Sequence, residues 1–112
     1  MNWTYLTNES DLEDIKARSQ ITPQVIFNHS IRCNISSMAK SRLERADQPE
    51  GISFYLLDLI QFRNLSNQVA NEFQVHHESP QILLIKKGEC IFTESHSGIR
   101  MDDIVTEATS LN

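Results

Sequence analysis

The sequence predicts an α/β protein in which a central mixed β-sheet is flanked by helices, in the order β-α-β-α-β-α-β-β-α. Three observations predict it. Val25-Ile26-Phe27 and Phe54-Tyr55-Leu56-Leu57 are apolar, β-favouring runs too short for helices, as expected of strands buried on both faces. Each is followed by a segment whose apolar residues recur at helical spacing, and this alternation places helices over both faces of a sheet. Near the C-terminus, Ile82 to Ile85 and Cys90 to Thr93 flank Lys87-Gly88, the pattern of a hairpin.

Taken in order, Trp3 to Leu6 forms a short first strand, and Ser10-Asp11-Leu12-Glu13 has the form of a capping box opening a helix that runs to about Ser19, with Leu12, Ile15 and Ala17 facing inward. Val25 to Phe27 is the buried central strand and delivers the chain to His29 and Ser30. From Cys33, the residues Ile35, Met38, Ala39, Arg42, Leu43 and Ala46 follow a helical period until Pro49 and Gly51 stop it. Ile52 to Ile60 contains the next buried strand, after which Leu65, Val69 and Phe73 mark a helix capped by Asn64. Ser79-Pro80 precedes the hairpin, and a helix from Met101 to Ala108 closes the order.

At 112 residues, the chain is expected to form one domain, 1–112, with no internal repeat or linker. A hydrophobic fraction of 39% against 22% charged residues, with three Gly and three Pro, describes a globular chain rather than a disordered one. The longest apolar runs fall far short of the roughly 20 residues of a membrane span. The N-terminal residues lack the basic start and apolar stretch of a secretory signal, so the chain reads as cytoplasmic. A formal charge of -5 with no Lys/Arg cluster disfavours nucleic acid and anionic lipid surfaces as partners.

Two cysteines in such a chain are expected as free thiols rather than as a staple. Cys33 stands where a buried strand gives way to a helix, among unpaired backbone N–H groups and the positive end of the helix dipole, both of which favour a thiolate. Arg32 adds a neighbouring positive charge, and the Ser36 hydroxyl, one helical turn on, is placed to donate to the sulfur. The same position also suits a small apolar residue that merely starts a helix. Cys90 begins the return strand of the hairpin, at the end of the sheet away from Cys33, where disulfide geometry would not reach. It reads as a buried strand residue.

The four histidines, His29, His76, His77 and His96, contain no pair with zinc-motif spacing, and His76 and His77, being adjacent, would point to opposite sides. No metal and no other cofactor is expected. The return strand brings His96 to the Cys33 end, where it and His29 either support a thiolate electrostatically or are simply solvated loop residues.

Phe27-Asn28-His29-Ser30 leading into Arg32-Cys33-Asn34-Ile35-Ser36-Ser37-Met38, with His77-Glu78-Ser79-Pro80-Gln81 and the later Ser95-His96, resembles the YtxJ-type monothiol bacilliredoxins of bacteria. The resemblance covers nearly the whole chain and implies a thioredoxin-like fold. It also implies a thiol–disulfide oxidoreductase that removes a low-molecular-weight thiol, bacillithiol, from mixed disulfides on client proteins through Cys33. Ser36 stands where dithiol relatives carry a resolving cysteine, so an external reducing thiol would have to regenerate Cys33. Phe27 stands where those relatives place a buried acid. Asn34 replaces a frequent Pro, and Ser97 stands where an aromatic residue is usual. The resemblance further implies a cis Pro80, with the backbone of Ser79 presenting the client segment; a trans proline opening a strand is the alternative. The competing functional readings are a thioredoxin-fold adaptor that no longer uses its cysteine and a thiol sensor without turnover.

Overall fold

The computed structural model describes residues 1–110; residues 111 and 112, which the expected 1–112 domain includes, lie outside the described residues. The strands are β1 (Trp3–Tyr5), β2 (Gln24–His29), β3 (Ser53–Asp58), β4 (Gln81–Lys86) and β5 (Glu89–Ser95). The helices are α1 (Glu9–Arg18), α2 (Asn34–Arg45), α3 (Arg63–Glu72) and α4 (Met101–Ala108), and a single 3-10 turn spans His96–Gly98. The order is the one expected, apart from that turn. The five strands form one sheet in the order β1-β3-β2-β4-β5, in which β1, β3 and β2 are mutually parallel and β4 alone is reversed, running antiparallel to both of its neighbours, β2 and β5.

Every residue of β2 is buried, because the strand is central and both of its faces are covered. Alternate side chains feed two cores. Val25 and Phe27 join Phe54, Leu56, Ile82 and Leu84 beneath α2 and α4, while Ile26 joins Tyr55, Leu57, Leu83 and Ile85 beneath α1 and α3. Trp3 closes the first core edge-on against Phe54, with ring centroids 6.1 Å apart.

Four local expectations change. The N-cap of α1 is Asn8, two residues before the expected Ser10: Asn8 Oδ1 accepts from the Asp11 amide at 2.9 Å, and the Asp11 carboxylate accepts from the Thr7 amide at 3.1 Å. Ala17 is exposed, since the inward stripe of α1 runs through Leu12, Ile15 and Ser19 and Ala17 lies half a turn from Ile15. In α2 the inward stripe is Ser36, Ala39 and Leu43, which turns Ile35 and Met38 outward. Asn64 lies inside α3 and caps nothing; Phe62 is the N-cap residue, and Asp58 organises the preceding turn by accepting from the Ile60 amide through Oδ1 at 3.0 Å.

The hairpin between β4 and β5 turns at Lys87 (φ 55°) and Gly88 (φ 80°), the paired positive φ values of a type I′ turn. Ser19 holds this turn against the end of α1, its carbonyl accepting from the Lys87 amide at 2.8 Å and its hydroxyl from the Gly88 amide at 2.9 Å. Phe92 pairs with Leu84 and Cys90 with Ile85, so Ile91 is the extra residue of a bulge.

Leu43 is fully buried between α2 and the sheet. Leu43→Ala is expected to lower the unfolding free energy by about 2 to 5 kcal/mol, seen as an earlier urea midpoint with an unchanged slope. An unmoved midpoint would mean that α2 is not seated through this residue.

Candidate functional site

The C-terminal end of β2 delivers two polar side chains into buried positions, Asn28 (3% exposed) and His29 (5% exposed). A buried polar group must be hydrogen-bonded or it destabilises the fold. Because successive strand residues face opposite ways, the two side chains reach into opposite layers, and each finds partners in the loops that form the site.

On the α2 side, His29 Nδ1 lies 2.6 Å from Ser36 Oγ, and Ser36 Oγ also accepts from the Ser30 amide at 3.0 Å. Ser36 is fully buried. Its hydroxyl is therefore engaged by His29 and Ser30, and it ties the first turn of α2 back to the end of β2 rather than bonding the sulfur of Cys33. Burial holds the His29 imidazole below its ordinary value, helped by the positive charge of Lys40 and opposed by Asp58 and Glu44. A neutral ring with Nδ1 accepting from Ser36 satisfies both groups.

The loop tied down in this way carries Cys33. Cys33 is half-buried and occupies the N-cap position of α2, with its amide donating to the Ser30 carbonyl at 3.2 Å and its carbonyl accepting from the Ser37 amide at 3.0 Å. The N–H groups of the first helical turn have no carbonyl one turn back and so face outward near this residue. Arg32 is exposed.

On the opposite side, Asn28 Nδ2 donates to the Glu78 carbonyl at 3.1 Å, and Asn28 Oδ1 accepts from Ser66 Oγ at 3.0 Å. Ser66 Oγ also lies 2.7 Å from His77 Nε2. Gln81, itself buried, donates to the His76 carbonyl at 2.8 Å and accepts from the Glu78 amide at 3.3 Å. The segment from His76 to Pro80 is thus held from both sides, and the Ser79–Pro80 peptide bond is cis. Pairing of Asn28 with Gln81 brings Pro80 alongside the end of β2, where the Cys33 loop begins. Ser79 Oγ is buried without a hydrogen-bond partner among the described residues.

The structure gathers Cys33, Arg32, Ser36, His29, Ser79 and Pro80 at one end of the sheet. His96 joins them through its backbone, donating its amide to the Pro80 carbonyl at 3.0 Å, while its side chain is exposed. His76 is exposed and His77 is turned inward. Cys90 pairs with Ile85, which lies across from Gln24 at the far end of β2, and burial pushes its thiol pKa up. The two cysteines are both free and sit at opposite ends of the sheet.

Sequence reading missed the roles of Asn28, Ser66, His77 and Gln81. Asn28 carried a signal, a polar residue directly after a buried apolar run, and His77 and Gln81 stand in the segment that carries the family resemblance; Ser66 on its helix carried none.

The profile of the monothiol bacilliredoxin BrxC family matches residues 4–104. Among solved structures, a protein described as having a thioredoxin fold is similar with a TM-score of 0.81 and 24% identity, over 95% of this chain and 92% of that one. A thioredoxin from Malassezia sympodialis is similar at 0.76 with 17% identity, covering 96% and 92% of the two chains. One from Fasciola hepatica is similar at 0.73 with 18% identity, covering 92% and 97%. These structural likenesses establish the thioredoxin-like fold expected from the sequence.

His29 sets a pH dependence. Its folded pKa lies below the ordinary value of 6.5, so the unfolded chain takes up a proton that the folded chain resists. The associated stability is complete above about pH 6.5 and is lost as the pH falls through the lowered folded value. His29→Gln is therefore expected to flatten the fall in melting temperature between pH 7 and pH 5.5. Parallel wild-type and variant profiles would rule out His29 as the titrating group.

Proposed function

The chain belongs to the monothiol bacilliredoxin BrxC family, and on that premise we propose that Cys33 removes a low-molecular-weight thiol of the bacillithiol kind from mixed disulfides on client proteins in a bacterial cytoplasm. The observation that carries this reading is the position of Cys33: a half-buried thiol at the N-cap of α2, beside the Pro80 loop, with Ser36 in place of a resolving partner and Cys90 at the other end of the sheet.

In the proposed step, Cys33 thiolate attacks the sulfur of the small thiol in the mixed disulfide. A new S–S bond forms on Cys33, the old one breaks, and the client cysteine leaves with the electron pair as a thiolate. Arg32 and the first-turn N–H groups of α2 stabilise the attacking thiolate. Ser36 holds the loop through His29 and Ser30 and acts as a positioning residue. The backbone of Ser79 pairs with an extended client segment, and Pro80 supplies the surface against which that segment lies. An external reducing thiol then attacks the Cys33 adduct and takes the small thiol away, returning Cys33 to the thiolate.

Incubation with a client protein carrying bacillithiol in mixed disulfide is expected to release reduced client and leave one bacillithiol adduct, located at Cys33 by peptide mass mapping. Cys33→Ala abolishes both products and Cys90→Ala retains them. Equal loss in the two variants, or no adduct on the wild type, would overturn the reading.

A further inference from the structure

Asn28 and Ser66 are buried, so their polar atoms need partners, and the partners they find outside each other belong to the loop before Pro80. Asn28 Nδ2 faces the Glu78 carbonyl at 3.1 Å, which only an N–H can do, and this leaves Asn28 Oδ1 facing Ser66 Oγ at 3.0 Å. The single proton of the Ser66 hydroxyl is then committed to Asn28. His77 Nε2 lies 2.7 Å from the same hydroxyl oxygen and is therefore a donor, which assigns the His77 proton to Nε2. The opposite assignment would let Asn28 Nδ2 reach Nε2 only across 3.5 Å, and it would leave Asn28 Oδ1 buried without a donor.

The hydrogen bonds close a circuit: His77 donates to Ser66, Ser66 to Asn28, and Asn28 to the carbonyl of Glu78, the residue joined to His77 by a peptide bond. On its other side, the Glu78 amide donates to Gln81 Oε1 at 3.3 Å, and the Pro80 carbonyl accepts from the His96 amide at 3.0 Å. Ser79 stands between these engaged groups. Its own amide and carbonyl make no hydrogen bond among the described residues, so they are held in place yet left open.

We propose that His77 is a positioning residue for client binding: through Ser66 and Asn28 it fixes the direction in which the Ser79 amide and carbonyl are offered to an extended client segment. Main-chain pairing is sensitive to such direction, because hydrogen bonds weaken steeply when bent. The thiol is governed separately. The Cys33 loop is tied by His29 and Ser36, on the opposite face of β2, and the two clasps share no side chain. His77 thus controls how well a client docks rather than how readily Cys33 reacts. This inference rests on the proposed exchange at Cys33 and on Ser79 as the client-pairing backbone.

The test uses two probes with the same attacked sulfur: 2-hydroxyethyl disulfide, and a short extended peptide whose cysteine carries 2-hydroxyethylthiol in mixed disulfide. With either, a Cys33–sulfur bond forms, the probe disulfide breaks, and the other half leaves as a thiolate, so the 2-hydroxyethylthio adduct is followed by intact mass. His77→Ala is expected to lower the ratio of the peptide rate to the small-disulfide rate by about tenfold, the effect of losing one buried hydrogen bond. His77→Gln, whose side-chain amide N–H stands in for Nε2–H, should restore most of the ratio. Ser66→Ala should lower it by a similar factor and carries the test should His77→Ala fail to fold. The double variant should fall no further than either single one, because both break the same circuit. An unchanged ratio, no rescue by His77→Gln, or additive losses in the double variant would overturn the role of His77 while leaving Cys33 as the acceptor. Failure of wild-type Cys33 to react with either probe would overturn both.

Discussion

The organisation of this protein depends on the need to satisfy two polar side chains buried at the end of its central strand. Burial of β2 on both faces supplies the hydrophobic seat for all four helices, but Asn28 and His29 bring an amide and an imidazole into that same dry environment. Their partners are the two loops of the candidate site. Asn28 reaches through the α3 layer to Ser66 and the Glu78 carbonyl, and His29 reaches the α2 layer through Ser36. The free energy at stake in leaving either group unpaired is about 1 to 3 kcal/mol, enough to hold each loop in one arrangement.

The consequence is a site assembled from sequence-distant pieces with little freedom of its own. The Cys33 loop is anchored from below, and the cis Ser79–Pro80 segment is held from both sides by Asn28 and Gln81. Such pre-organisation suits exchange chemistry, in which three sulfurs must come into line, because little ordering remains for the reaction step. The long-range field runs against the local one. The chain is acidic overall, yet the flank of α2 that leads away from Cys33 carries arginines without carboxylate partners.

Much of this was legible before the fold was known. Runs such as Val25 to Phe27 and the Lys87-Gly88 turn signal their structures through local chemistry, and Cys33 at a strand-to-helix junction marked itself as the residue to watch. Less legible were choices between nearby alternatives. Asn8 outcompetes Ser10 as the cap because its carbonyl meets the Asp11 amide directly. The apolar residues Ile35 and Met38 suggested an inward stripe on α2, but Ser36 took the inward position because His29 and Ser30 meet it there.

By itself, the sequence determined the element order, the buried central strand, the single thiol at the head of a helix and the displacement of Cys90 from it, because these follow from periodicity, turn chemistry and distance along the chain. Tertiary structure alone decided which polar groups meet. Ser36 turns out to serve His29 instead of the sulfur, Asn28 holds the Pro80 loop, and the arginines of α2 share a groove. Hydrogen bonds between residues as far apart as Asn28 and Glu78 leave no periodic trace, since their geometry exists only once the strand is buried and the helices have docked.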